Sequence, residues 1–88
     1  MAVTLLQTGG HLSLEFASSY LAAVRDHIRA RYPDVETEFA GIATIVRFGG
    51  EEFTFQNEWD DPCLISGSAK GDVILRSIHA HFASESYR

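Results

Sequence analysis

The feature that most constrains this chain is a change of hydrophobic period at Pro33. On the N-terminal side, Tyr20, Leu21, Val24 and Ile28 recur at helical spacing, with Arg25, Asp26 and Arg29 on the opposite face. The spacing predicts an amphipathic helix over 18–32, with Pro33 as its stop. Beyond Pro33 the period becomes two. Val35, Thr37 and Phe39 alternate with Glu36 and Glu38, and the run Ile42 to Phe48 is rich in β-branched residues. Gly49-Gly50 is a two-residue hairpin signal, after which Phe53 and Phe55 alternate with Glu52, Thr54 and Gln56. A helical pattern cannot lie on a pleated sheet, nor an alternating one wind into a buried helix stripe. One helix followed by three antiparallel strands is therefore expected.

The flanks extend this pattern. Val3 to Gln7 is a short apolar run closed by Gly9-Gly10. From His11 to Phe16, Leu12, Leu14 and Phe16 alternate with His11, Ser13 and Glu15, which reads as the second arm of a hairpin. A competing reading carries the helix back to about Leu12, because Leu14, Ala17, Leu21, Val24 and Ile28 also share one helical stripe. Cys63, Leu64 and Ile65 can add a short strand. Ser66-Gly67-Ser68 then offers a serine N-cap to a closing helix whose apolar face is Ile74, Leu75, Ile78 and Phe82. The expected class is α+β, in the order strand or hairpin, α, β, β, β, (β), α. Two helices pack on one face of a three- to five-stranded antiparallel sheet, with the other face toward solvent or a partner. Ser84 to Arg88 are expected to fray.

The helix, three-strand, helix order is shared with double-stranded RNA-binding domains, and Gly67-Ser68-Ala69-Lys70 falls near the start of the last helix. Such a domain meets phosphates with a lysine cluster at that point, whereas this chain has Lys70 followed by Gly71 and Asp72. The whole chain carries 7 Lys and Arg against 12 Asp and Glu, and its net charge of -5 repels a phosphate backbone. Direct nucleic-acid binding is not expected.

At 88 residues the chain has material for one core, so one domain over 1–88 is expected, with modest stability and something to gain from a partner or a homodimer. Its 45% hydrophobic and 22% charged residues place it among folding rather than disordered chains. Cys63, the sole cysteine, cannot form an internal disulfide, which suits a reducing compartment. With no basic leader before the short apolar run and no stretch of about 18 apolar residues, a cytoplasmic protein with no membrane association is expected.

Catalytic and metal chemistry find little support. Asp60, Asp61 and Pro62 precede Cys63, and acidic neighbours suppress a thiolate, so a half-buried apolar role is the expectation. His79 and His81 stand about 200° apart around a helix and cannot share an ion there, although on a strand they would face the same way. The Glu58, Asp60 and Asp61 cluster lacks EF-hand spacing. Neither cofactor nor metal is expected. A small enzyme remains as an alternative only if groups such as His27, His79 or Cys63 meet in a cleft between subunits.

The segment Asn57-Glu58-Trp59-Asp60-Asp61-Pro62 sets the only tryptophan among three carboxylates. One reading folds Trp59 back over the sheet edge as a cap on the core. The other leaves the indole exposed, a common hot spot within an acidic rim. By the alternation, Glu36, Glu38 and Glu52 point outward from the sheet and repeat the acidic theme. The expected function is that of a small acidic protein-binding module, an inhibitor, immunity-type antidote or adaptor. Such a module docks on a basic surface of a larger protein, as nucleic-acid mimics also do. Its expected contact residues are Trp59, Glu58, Asp60, Asp61, Glu36, Glu38 and Glu52.

Overall fold

The computed structural model describes residues 3–57 and 62–85. Strands β1 (Val3–Thr8) and β2 (His11–Phe16) form a hairpin, so the alternation of residues 11–16 prevails over the helical stripe. A single 3₁₀ turn over Ser18–Tyr20 leads into α1 (Leu21–Arg31). The strands β3 (Glu36–Ala40), β4 (Ala43–Phe48), β5 (Glu51–Gln56) and β6 (Cys63–Ser66) follow, and α2 (Ala69–Glu85) closes the chain. The sheet has six strands in the order β1-β2-β6-β5-β4-β3, all antiparallel, rather than the three to five expected. The extra strands arise because β6 returns beside β2 and joins the N-terminal hairpin to the meander in one sheet.

Turn chemistry sets the registers. Gly49 and Gly50 adopt φ of +64° and +80°, the left-handed pair that matches strand twist in a two-residue hairpin, and Phe48 faces Glu51 across them. Helix α1 ends where Tyr32 donates its N–H to Ile28 at 2.7 Å, one residue before Pro33.

Cross-strand partners share a face, and one face carries the core. Val3, Leu14, Phe16, Leu64 and Phe53 line it, against Val24 and Ile28 of α1 and Leu75, Ile78 and Phe82 of α2. Phe53 is 1% exposed and stacks on Phe48 with ring centroids 4.3 Å apart. Both helices cover this side, as expected from their apolar stripes, and Tyr20 and His27 from the α1 region both make T-shaped ring contacts with Phe82.

The start of α2 is tied to the sheet at two points. Ser68 is its N-cap and accepts the Gly71 N–H at 3.0 Å. One turn in, Asp72 accepts the Leu12 N–H at 2.9 Å, and its other oxygen lies 3.3 Å from His11 Nδ1. The physical reason lies in the ladder. Phe16 donates to Pro62 and Leu14 faces Leu64, so Leu12 would next bond Ser66, where the chain turns into the helix. Asp72 takes over that donor. The Leu12 N–H, helped by Ser66 and His11, holds the Asp72 carboxyl below its ordinary value. Gly71 allows the approach: a Cβ there would stand 2.5 Å from Ser66 Oγ and 3.3 Å from the Phe53 ring.

Candidate functional site

The acidic residues expected to act together are divided by the structure. Glu58, Trp59, Asp60 and Asp61 lie outside the described residues. Strand β5 ends at Gln56, and Pro62, just before β6, is buried. Gln56 and Cys63 face each other at that end of the ladder, whereas Glu52 stands at the opposite end of β5, about 13 Å away along the strand. Glu36 and Glu52 both flank the Gly49-Gly50 end of the sheet.

Glu36, Glu38 and Glu52 are brought together on the outer face, around a residue that sequence reasoning did not single out. Glu36, Arg47 and Glu52 form one cross-strand row. Arg47 Nε donates to Glu52 at 2.9 Å, and its Nη2 lies 3.0 Å from Glu38. The bonds to Glu52 and then Glu38 raise the Arg47 pKa, outweighing the slight loss of water around it. Period-two alternation was the signal available for this: it puts Arg47 on the face of Glu36 and Glu52. The cleft beside this row, of about 330 Å³, is lined by Asp34, Glu36, Glu51 and Glu52 against Arg47. The Glu51 carboxylate accepts the Ser68 hydroxyl.

Away from this margin the strands carry one further carboxylate on the outer face, Glu15 of β2, which faces Thr4 and Cys63. The central row of that face runs Leu6, Ser13, Ile65, Thr54 and Ile45, and ends on Glu38. Ser13 is buried, and Ile45, Ile65 and Cys63 are half-buried. The acidic character expected of the whole face is thus concentrated at its β3–β5 border, because β6 carries cysteine and isoleucine there and β2 carries Glu15 alone beside histidine and serine.

Strand β3 forms one edge of the sheet, and all five of its residues are exposed. On the helix side, an open groove of about 370 Å³ runs between α1 and the strands, floored by Val35, Thr37, Val46 and Phe55 and walled by Leu21 and Ile28. Phe39 is 79% exposed, and Ile42 at the adjoining turn is 86% exposed.

The groups considered for an enzyme do not converge within one chain. His27 of α1 stacks on His81 of α2 with centroids 4.1 Å apart, on the helix side. Cys63 begins β6 on the other face. His79 is half-buried on α2, two residues from His81 and on a different side of that helix. Among the described residues no group of three or more His, Cys, Asp and Glu is arranged to hold a metal ion. No helix among them is long and apolar enough to cross a membrane.

No protein-family model matches the sequence, and no curated protein or solved structure is significantly similar to it.

Proposed function

We propose that this protein is an acidic protein-binding module. It docks the β3 margin of its sheet, with Glu36, Glu38 and Glu52, on a basic surface of a larger protein, in the manner of an inhibitor, an immunity-type antidote or an adaptor. The observation that carries this reading is the uniformly exposed edge strand with two carboxylates on one face. Arg47 neutralises part of the cluster and splints Glu38 and Glu52 in place, which pre-organises the remaining charge at little entropic cost on binding. The Glu58–Asp61 segment with Trp59 supplies further negative charge and an aromatic anchor to the same partner.

The test is affinity capture from the native cell extract at low and moderate salt, comparing wild type with the double variant Glu36→Lys/Glu38→Lys and with Trp59→Ala. A basic protein retained by wild type, weakened by salt and lost on charge reversal supports the module. Capture that ignores both salt and the charge reversal would remove the acidic margin from the interface.

A further inference from the structure

The edge strand offers main-chain groups as well as charge. Gly41, with φ +67°, and Ile42 form a two-residue turn between β3 and β4, with Ala40 facing Ala43. The pair flanking such a turn exchanges main-chain hydrogen bonds, and bonded pairs then alternate with unbonded ones. Glu38–Ile45 and Glu36–Arg47 are thus bonded pairs, and the N–H and C=O groups of Thr37 and Phe39 point away from β4 at the open edge.

The side chains sort by face along the same edge. Glu36 and Glu38 stand on the outer face, whereas Val35, Thr37 and Phe39 stand on the helix side beside the apolar groove. Natural edges are commonly blunted with lysine, proline or a bulge. Here β3 has neither lysine nor proline, and its register against β4 is unbroken. Its guards are carboxylates alone, which repel an acidic strand and attract a basic one.

Resting on the protein-binding reading above, we infer that β3 receives an extended segment of the partner as an added strand, in which basic and apolar side chains alternate. Its Lys or Arg residues lie over Glu36 and Glu38, and its apolar residues lie beside Thr37 and Phe39 at the mouth of the groove. Five residues at about 3.4 Å each set the span at about 17 Å. The main-chain bonds supply affinity, and the two faces supply selection. A second copy of this chain fits the edge less well. Antiparallel pairing of β3 with itself about Glu38 sets that residue against its own copy, and pairing about Thr37 sets Glu36 against Glu38; like charges directly opposite destabilise. Centring on Phe39 avoids the clash but leaves only Glu38 to Ala40 in the shared ladder.

The experiment titrates fluorescently labelled peptides of about seven residues into the full chain at low salt. One peptide alternates Lys and Val, one holds the same residues in blocks, and one is the alternating peptide N-methylated on every second residue. The alternating peptide is expected to bind at least about tenfold more tightly than either control. Thr37→Pro, which removes an outward N–H and spares the β3–β4 bonds, is expected to weaken it about tenfold with the circular dichroism unchanged. Glu36→Lys/Glu38→Lys is expected to weaken all three peptides. Equal binding of alternating, blocked and N-methylated peptides would overturn strand addition while leaving docking by charge intact. Failure of every cationic peptide to bind, in wild type and variants alike, would overturn both. A concentration-dependent dimer that Thr37→Pro dissolves would assign the edge to a second copy and overturn the inference.

Discussion

The two edges of this sheet are built differently. At one, β1 reads VTLLQT; Val3 is 1% exposed, and α2 packs against both β1 and its neighbour β2. At the other, β3 reads ETEFA, and every residue is exposed. Helix length accounts for part of the contrast. The 17 residues of α2 reach about 25 Å, enough to lie against β1, β2, β5 and β6, whereas the 11 residues of α1 reach about 16 Å. Beside α1 an open groove remains over Val46 and Phe55. One end of the sheet is covered by the long helix, and the other leaves a whole strand exposed.

The comparison breaks first, and hardest, at Phe53. Phe53→Ala removes a buried ring stacked on Phe48 and should cost about 3–5 kcal/mol, a large share of the stability of so small a domain. A urea midpoint close to wild type would show that the core beneath the helices does not carry the fold. Next comes Gly71→Ala. Placing alanine in a helix ordinarily gains about 1 kcal/mol over glycine, yet here the added Cβ meets Ser66 Oγ and the Phe53 ring. A net loss of about 1–2 kcal/mol in thermal or urea unfolding is expected, and a gain would mean that the junction between β6 and α2 is loosely packed.

Asp72 sharpens the contrast by pH. Its folded-state pKa lies below the ordinary carboxylate value of about 3.9, so the unfolded chain takes up the proton first as pH falls. Its stabilisation is present above that ordinary value and is lost as pH drops through the folded-state pKa beneath it. Urea midpoints from about pH 5 to about pH 2 should fall more steeply for wild type than for Asp72→Asn. Parallel curves would deny Asp72 its role as substitute partner for Leu12. The smallest effect belongs to the open end: Phe39→Ser should alter stability by no more than about 0.5 kcal/mol, in either direction. A larger loss would place Phe39 in the core, contrary to its 79% exposure.

Much of the local structure could be read from the chain. The period change at Pro33, the two Gly-Gly hairpin turns and the serine cap at the start of α2 all act over a few residues, so neighbouring side chains suffice to define them. Residues 11–16 were the exception, since their apolar residues fit both periods until β6 supplied a ladder partner. In the candidate site, alternation correctly put Glu36, Glu38 and Glu52 on one face. What it could not give was the pairing with Arg47, which depends on the register between three strands, or the concentration of acidity at one border of the sheet.

By itself, then, the sequence determined the kind and order of most elements, residues 11–16 and the short strand at Cys63 apart, and the face their residues take, because propensity, period and turn chemistry are local. Only the tertiary structure decided that β6 closes the two hairpin systems into a six-stranded sheet, that Asp72 completes the ladder at Leu12, and that β3 is left open. Those outcomes rest on contacts between residues as many as 61 positions apart. They require the closure of long loops, which no local pattern encodes.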